Sequence, residues 1–321
     1  MADYVAIVGE NVADVLMGPT RVGDGTAQLR VFSGGGPANT AVALGRLGTP
    51  TKFISRLTKG VLGELFVERL RNSGIDLSLS VIADEPATLA LASVAADGNA
   101  KYDFYAAGTA DWQWQPDELS RLELDGAACV HAGSLGLVMQ PGGPMVEELL
   151  AKAREHATIS IDPNVRTAIA NAEMYRKRIW RWTELADVFR LSEDDLVELF
   201  PDSQLDRLFD SWHEAGTSLI VLTRGDRNAV ASFQGKRLEV PTPSVSVVDT
   251  IGAGDAFTAG MLHWIFQTSH GGGRLSDLDE DQVFKAVSFG SHVAALSCSL
   301  PGANPPRIEQ LTREALAKLT V

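Results

Sequence analysis

The chain has 321 residues, 45% of them hydrophobic and 21% charged, so it is long enough to bury a large core in one domain with a small appendage. Its net charge of −13 argues against non-specific binding of nucleic acid, which needs a cationic face. It has two cysteines without metal-ligand spacing, no basic leader and no run of ~18 apolar residues, which argues against a disulfide framework, secretion and a membrane span. We therefore expect a cytoplasmic protein with no nucleic-acid or membrane partner.

Short apolar runs alternate with longer amphipathic segments along most of the chain. The predicted strands are Tyr4–Val8, Lys52–Ile54, Ala128–Ala132, Thr158–Ile161, Asp187–Leu191, Ser218–Thr223 and Ala229–Phe233. The predicted helices include Asn39–Leu47, Leu62–Asn72, Gly143–Glu155 and Gln204–Ala215. This alternation predicts an α/β fold with a mostly parallel central sheet that is covered on both faces by helices.

Two extended segments, residues 13–31 and 86–108, interrupt this alternation. The second reads as a hairpin, Thr88–Ala95 and Lys101–Tyr105, around the turn-forming residues 97–99. The two segments predict either a surface hairpin or a small β-sheet lid over a site. The matching division of the chain is a core of residues 1–12, 32–85 and 109–321 with a lid of residues 13–31 and 86–108.

A polar stretch with two spaced glycines, Val247–Phe257, leads into a strongly apolar helical run. Gly252 and Gly254 lack the Cβ atoms that would keep the backbone away from an anion, and the N–H groups of the first helical turn would point at it. Such a turn can stabilise a phosphoryl group in transfer, and Asp255 beside it can accept a proton from an attacking hydroxyl. The alternative is an ordinary glycine turn with Asp255 as helix cap.

A second glycine-rich segment, Phe32–Asn39, precedes an N-terminal helix. Its three consecutive glycines allow a ligand to approach the backbone, and Asn39 offers both donor and acceptor groups for sugar hydroxyls. Asp14 follows the first strand and can accept hydrogen bonds from two hydroxyls of a polyol. Taken alone, Asp14 would more often be a solvated loop acid.

Several other residues favour structural roles. His131, His213 and His263 lack ligand spacing. Trp112 and Trp114 fit either a sugar pocket or the core, and the core is favoured. The basic cluster Arg176, Lys177, Arg178 and Arg181 indicates the solvated face of a helix.

Four motifs occur in a fixed order: SGGGPANTAVALGRLG, DPNVR, TRGDRNA and DTIGAGDAF. Together they resemble the ribokinase-like (PfkB) carbohydrate kinases, and within them the fructokinase-like branch, over essentially the whole chain. The resemblance implies a three-layer α/β/α ribokinase-like fold and transfer of the γ-phosphoryl group of ATP to a sugar hydroxyl. It also implies Mg²⁺, the K⁺ that some members use, and the homodimer through the lid that recurs in the family.

Carried over by position, the resemblance implies four sets of site residues. Gly252, Ala253 and Gly254 would form the anion hole, with Asp255 as the base. The residues expected to hold the acceptor sugar are Asp14, Gly35, Gly36, Asn39 and Arg166. Those expected to hold ATP, with Mg²⁺ bound through water, are Asn164, Glu193, Thr223, Arg224, Gly225, Ser288, Ser291 and His292. Those that match a K⁺ site are Asp249, Ile251 and the turn from Ser297 to Gly302.

The chain departs from the family pattern at two positions. Arg190 stands where the family often has a lysine, which keeps the charge but changes its geometry. Ala106 follows Phe104-Tyr105 where many fructokinase-like members carry an arginine. A fructokinase-like activity is favoured, and ribose, a nucleoside and 2-keto-3-deoxygluconate stay open as alternative acceptors.

Two other enzyme classes are excluded by motif. A dinucleotide-binding oxidoreductase needs GxGxxG after its first strand and a P-loop ATPase needs GxxxxGK[ST], and the sequence has neither. A catalytically silent sugar-binding protein would be expected to lose Asp255 or its neighbouring glycines, which are present.

Overall fold

The structure is a computed structural model that describes residues 4–22, 26–94, 100–268, 275 and 278–311. Its strands are β1 Tyr4–Val8, β2 Val12–Val22, β3 Thr26–Gly34, β4 Thr51–Ile54, β5 Arg56–Thr58, β6 Val81–Ala83, β7 Leu89–Val94, β8 Ala100–Tyr105, β9 Ala127–Gly133, β10 Thr158–Asp162, β11 Val188–Ser192, β12 Leu219–Arg224, β13 Arg227–Phe233 and β14 Lys236–Val240. Its α-helices are α1 Gly36–Arg46, α2 Gly60–Asn72, α3 Pro116–Ser120, α4 Gly142–Ala153, α5 Ala172–Leu185, α6 Glu193–Leu199, α7 Leu205–Ala215, α8 Ala253–Thr268 and α9 Glu280–Cys298.

An eight-stranded sheet forms the centre, in the order β14-β13-β12-β11-β10-β9-β1-β4. Six neighbouring strands of this sheet, β12, β11, β10, β9, β1 and β4, pair in parallel. Strands β13 and β14 add an antiparallel edge. Strand β1 is buried along its whole length, as a parallel strand covered on both faces must be. The predicted mostly parallel sheet is confirmed.

Helices cover both faces of this sheet and make three layers. Along β1, Val5 and Ile7 pack in a cluster with α1 and α8, whereas Ala6 and Val8 pack in another with α4, α5 and α7. This alternation follows from the two-residue period of a strand. Helix α8 is apolar nearly all round because it lies between the sheet, α1 and α9.

A separate four-stranded sheet, in the order β3-β2-β7-β8, comes from the two segments that interrupt the α/β alternation. Ala13 and Val15 of β2 pack on Phe66 of α2, which seats this sheet against the core. The turn at residues 97–99 lies outside the described residues. The small separate sheet is confirmed, whereas its action as a lid stays a prediction.

All seven predicted central strands occur; Tyr4–Val8 has its predicted bounds, and the ends of the other six are shifted by one or two residues. Strand β14 was not predicted, because its Lys236–Val240 pattern is half-exposed and mixed in polarity. Helix α8 begins at Ala253, so Gly254 and Asp255 lie inside its first turn instead of preceding the helix.

Candidate active site

The candidate site lies at the carboxyl ends of the parallel strands, where open α/β sheets place their ligands. A narrow cleft runs between the N-terminus of α1, the ends of β9 and β10, and the first turn of α8. The cleft is lined by Gly36, Pro37, Thr40, His131, Gly133, Ser134, Asp162, Asn164 and Asp255. Gly36 and Asp255 belong to different glycine motifs and are 219 residues apart in the chain (255 − 36). Both motifs therefore line the same cleft.

Asp255 is buried in the first turn of α8, with 8% of its surface exposed. Its Oδ2 accepts a hydrogen bond from Asn39 Nδ2 at 2.9 Å. Its Oδ1 faces Gly36, because a Cβ built on that glycine would lie 3.3 Å from Oδ1. One carboxylate oxygen is thus held and the other points toward the cleft.

Gly36 is required by close approach. A Cβ at this position would lie 2.6 Å from Asn164 Nδ2, so any side chain would close the space between Asn164 and Asp255. Asn164 itself has a backbone φ of +40°, a conformation that asparagine tolerates better than most residues. The glycine motif and the DPNVR motif meet here.

A buried arginine lies beneath the anion-hole turn. Arg190 pairs with Asp162 at 2.7 Å and donates to Thr223 Oγ1 at 2.6 Å, which ties β10, β11 and β12 together at their ends. A Cβ on Gly254 would lie 2.8 Å from Arg190 Nη1, so the guanidinium packs directly on the first turn of α8. A fixed positive charge therefore adds to the anion-attracting N–H groups of that turn.

The anion-hole segment bends sharply before α8. Gly252 has a φ of +74°, and Ala253 donates its N–H to the carbonyl of Thr250 at 3.1 Å. The next N–H groups in the turn have no intrahelical partner, by the geometry of a helix N-terminus. They are the groups that can receive an anion.

Several residues predicted to hold the nucleotide lie at the carboxyl ends of β11 and β12. Thr223 ends β12 beside Arg190, and Arg224 donates Nε–H to the carbonyl of Asn228 at 2.6 Å. Glu193, at the N-terminus of α6, forms an ion pair with Arg227. Gly225 is exposed in the turn between β12 and β13.

Helix α9 carries the remaining predicted nucleotide residues. Ser288 and His292 are joined by a hydrogen bond between His292 Nδ1 and the Ser288 carbonyl, and Ser291 is buried. Arg166 is exposed at the end of the DPNVR segment and bonds its own neighbour, the carbonyl of Val165.

The two segments predicted to bind K⁺ come together. Asp249 accepts hydrogen bonds from the N–H of Ile251 at 3.0 Å and from the N–H of Gly302 at 2.8 Å. The N–H groups of Val248 and Asp249 both reach the Cys298 carbonyl. Ser297 Oγ is buried and has no hydrogen-bond partner among the described residues.

A comparison with models of protein families matches residues 2–310 to the pfkB family carbohydrate kinase. The chain belongs to this family. It is a carbohydrate kinase, a phosphotransferase with an alcohol group as acceptor, as the motifs predicted.

Relatives and solved structures agree with the family. The kinase is 35% identical over 255 residues to a fructokinase of Rhizobium leguminosarum bv. trifolii, covering 79% of this chain and 77% of the relative. It is 31% identical over 312 residues to fructokinase-1 of Oryza sativa subsp. japonica, covering 95% and 94%. The crystal structure of fructokinase with bound ATP from Xylella fastidiosa superposes with a TM-score of 0.88 at 24% identity over 100% of each chain, which confirms the predicted fold.

The predicted base, Asp255, and one predicted sugar-binding acid, Asp14, have pKa values raised by burial. Burial raises the pKa of Asp255 to about 6, against the hydrogen bond from Asn39 and the charges of Arg166 and Arg190. Burial also raises the pKa of Asp14 to about 6. At pH 7 Asp255 is therefore mostly ionised, which is the form a base needs.

A second pair of buried acids lies near the start of the separate four-stranded sheet. Burial raises the pKa of Glu10 to about 7 and that of Asp111 to about 6. Glu10 Oε2 accepts from the N–H of Gly136 at 3.0 Å, and Asp111 accepts from the N–H of Asn11 and from Thr88 Oγ1. These acids join the core to the start of β2.

Sequence reasoning assigned no site role to four residues near the site: Arg69, Asp162, Glu10 and Arg190. Of these, it noted Arg190 only as a departure from the family pattern. Asp162 and Arg190 gave a usable signal, because a charged residue in a buried strand needs a partner. Arg69 gave none, since an arginine on an amphipathic helix predicts a solvated face.

The residues expected to be structural have protein partners. Trp112 and Trp114 lie in the core, 1% and 2% exposed. His131 contacts Ser160 at 3.0 Å, and burial, followed by the charge of Arg190, lowers its pKa to about 3. His263 contacts Thr49 at 2.8 Å.

The described part of the chain contains neither a membrane-spanning helix nor a ready metal cluster. None of its helices has the length and apolar character needed to cross a membrane. Nor does any group of three or more histidine, cysteine, aspartate or glutamate residues there form a ready metal site.

Proposed function

We propose that this kinase transfers the γ-phosphoryl group of ATP to a hydroxyl of fructose or a closely similar sugar. The observation that carries the proposal is the placement of Asp255, whose free Oδ1 faces a cleft at an anion-attracting helix N-terminus. The fructokinase relatives support the choice of acceptor. The structure with bound ATP supports the choice of donor.

In the proposed reaction, Asp255 Oδ1 accepts the proton of the acceptor hydroxyl while its oxygen attacks the γ-phosphorus. A new O–P bond forms, the bond between the γ-phosphorus and the β–γ bridging oxygen breaks, and ADP leaves with the bonding electrons. The backbone around Gly252, Ala253 and Gly254 stabilises the charge on the transferring group. Arg190 adds its charge from below that turn.

The acceptor would be held by Asp14, Gly35, Gly36, Asn39 and Arg166. Asp14 is only partly buried and accepts no hydrogen bond from the described residues, so both of its oxygens can serve sugar hydroxyls. Asn39 has one amide hydrogen left after its bond to Asp255. The separate sheet, formed by residues 13–31 and 86–108, would close over the sugar and keep water from the phosphoryl group.

The nucleotide would lie along the open side of the site. The residues proposed to contact it are Asn164, Glu193, Thr223, Arg224, Gly225, Ser288, Ser291 and His292. The amide and carboxylate oxygens of Asn164 and Glu193 fit an ion that keeps its water shell, which is how Mg²⁺ is commonly bound with ATP. When bound, Mg²⁺ would neutralise charge on the phosphates.

A K⁺ ion fits the segment beside the anion hole. Asp249 and Ile251 meet the turn from Ser297 to Gly302, and the buried Ser297 hydroxyl lacks a partner among the described residues. Oxygen donors of this kind suit a hard monovalent cation. Its role would be to hold the Asp249–Gly252 backbone in place.

We also propose a homodimer through the lid and a cytoplasmic location. The lid sheet leaves Leu16, Leu29, Val31, Phe32 and Tyr105 at 38–57% exposure, an apolar surface that a second copy would cover. Both cysteines are free thiols, which suits a reducing compartment. Light scattering of the purified protein tests the dimer, and a mass equal to one chain contradicts it.

The proposed function is tested by ADP release from purified protein with ATP and Mg²⁺. The acceptors are fructose, ribose, 2-keto-3-deoxygluconate and nucleosides, each with and without K⁺. We expect the highest kcat/KM with fructose and a higher rate with K⁺. Turnover of another acceptor with fructose inactive would contradict the proposed substrate while keeping the kinase mechanism.

A further inference from the structure

Arg69 joins the two halves of the candidate site, although it lies on α2 outside every sequence motif. Its Nη2 donates to Asn39 Oδ1 at 3.0 Å and to the carbonyl of Ala303 at 2.8 Å. Ala303 in turn packs on the anion-hole bend, since a Cβ on Gly252 would lie 2.9 Å from the Ala303 Cβ. A single guanidinium nitrogen therefore bridges the acceptor side and the phosphoryl side.

The guanidinium also decides which way the Asn39 amide faces. An arginine side chain can only donate hydrogen bonds, so the oxygen of Asn39 must face Arg69. The amide nitrogen then faces Asp255 Oδ2, where it donates at 2.9 Å. The reversed amide would set N–H groups against the guanidinium and its oxygen against the carboxylate, and both contacts would be repulsive.

The charge of Arg69 is not used by an ordinary surface ion pair. Among the described residues, no carboxylate oxygen lies within 4.0 Å of its guanidinium, and its Nη1 is inaccessible to solvent and lacks a partner. Burial, with the nearby charge of Arg46, lowers its pKa to about 10, so it stays charged at neutral pH. Asp14 and Asp255 are the acids within its electrostatic reach.

A half-buried guanidinium with an inaccessible Nη1, and with no paired carboxylate among the described residues, costs desolvation free energy that simple packing of a helix does not require. We propose that Arg69 is a positioning residue for phosphoryl transfer. Through Asn39 it holds Asp255 Oδ2 and leaves Oδ1 to accept the proton, and through Ala303 it holds the loop against Gly252. This inference rests on the proposed function and names how the same site is ordered.

The test is a double-mutant cycle that combines Arg69→Met with Asn39→Ala. Methionine keeps the unbranched stem and removes the donors. We expect Arg69→Met alone to lower kcat about 10- to 100-fold with the KM for ATP within about 2-fold, because small misplacements of reacting groups have effects of this size. In the Asn39→Ala background the same change should lower kcat by less than about 5-fold, because its main route of action is gone.

Two further variants separate positioning from stability. Arg71→Met is the matched control, because Arg71 lies two residues along α2 with an exposed side chain, and kcat should stay within about 2-fold. Arg69→Lys keeps the charge and the hydrogen-bond donors on a shorter side chain, so it should recover part of the lost kcat. If Arg69→Met does not fold, Arg69→Lys and Arg69→Gln take its place, and lysine should exceed glutamine by at least about 5-fold.

The outcomes are distinguishable. Near-wild-type kcat of Arg69→Met, or an equal loss with and without Asn39, would overturn the positioning role while the kinase reaction stands. Equal kcat of the lysine and glutamine variants would overturn it as well. A wild-type protein that releases no ADP with any sugar would contradict the proposed function itself, and this inference with it.

Discussion

Two regions of the candidate site differ in their exposure to solvent. On the acceptor side, Asn39 and Asp255 are 6% and 8% exposed and are bonded to each other. In the region proposed to bind the nucleotide, Gly225 and Arg227 are exposed, and Glu193 is paired with Arg227 at the surface. The group proposed to react thus lies in the buried region, where each charge and hydrogen bond acts strongly. The region proposed for the nucleotide is exposed, so its charge interactions are screened and backbone contacts matter more there.

The largest effect on kcat should come from a substitution in the buried region. Asp255→Asn keeps the shape of the side chain but removes the proton acceptor, so kcat should fall ~10²–10⁴-fold, the usual contribution of a general base. The KM for ATP should change little because the nucleotide side is untouched. Steady-state kinetics measures both, with thermal unfolding as control for folding, and turnover near that of the wild type would remove Asp255 from the base role.

A pair of glycine variants compares the two sides directly. Gly254→Ala places a methyl group 2.8 Å from the buried Arg190 Nη1, so kcat should fall by about 10-fold or more. Gly225→Ala meets no atom within 4 Å and has only the strain of a φ of +63°, about 1–2 kcal/mol of stability.

We therefore expect Gly225→Ala to raise the KM for ATP, because the methyl group stands at a proposed nucleotide contact, and to keep kcat at saturating ATP within about 3-fold while its melting temperature falls. The kinetics of the two purified variants at 25 °C, measured with saturating ATP, separate the cases. Equal losses of kcat would mean that the two turns are equally sensitive and that the contrast between the two sides is wrong.

The pH profile should show the acid with the raised pKa. Asp255 must be ionised to accept a proton, and its pKa lies at about 6 because it is buried. kcat/KM for the sugar should therefore be level above pH 7 and fall at least tenfold per pH unit well below pH 6, since Asp14 has a raised pKa of about 6 as well. A profile that stays level down to pH 5, in a protein still folded there, would contradict this placement.

A smaller effect on stability should come from Glu10. Its pKa is raised in the folded state from 4.5 to about 7, so its contribution to stability is full below pH 4.5 and is lost as the pH rises through 7. Glu10→Gln removes that loss and keeps an acceptor for Gly136. The variant should be more stable than the wild type at pH 8, by on the order of 1–3 kcal/mol.

The difference in stability between Glu10→Gln and the wild type should shrink as the pH falls toward 5. Chemical denaturation of both proteins at pH 5.5 and pH 8 measures it. Unchanged differences at the two pH values would show that Glu10 is not a desolvated acid.

Sequence reasoning recovered what local patterns encode. The buried run at Tyr4–Val8 and the glycine motifs around Gly36 and Gly252 gave the central sheet and the two walls of the cleft. It did not recover Arg69, whose partners Asn39 and Ala303 lie 30 and 234 residues away. A charged residue on an amphipathic helix carries no local mark of such partners, because the contact exists only once α1, α2 and the loop at Ala303 have packed.

The start of α8 is another feature that local sequence patterns did not predict correctly. The motif predicted a loop that ends at Asp255, whereas the helix begins at Ala253 and takes Gly254 and Asp255 into its first turn. The packing of Arg190 on Gly254 comes from a strand 64 residues earlier (254 − 190), and no short-range pattern contains it.

The most direct measurement is a crystal structure of the kinase with fructose and a non-hydrolysable ATP analogue. We expect one hydroxyl oxygen of the sugar at about 2.6–3.2 Å from Asp255 Oδ1, the reach of a general base, with the γ-phosphorus in line above the Gly252–Gly254 turn. A complex in which the sugar binds with every hydroxyl out of reach of Asp255, or in which Oδ1 is covered by protein, would contradict the account.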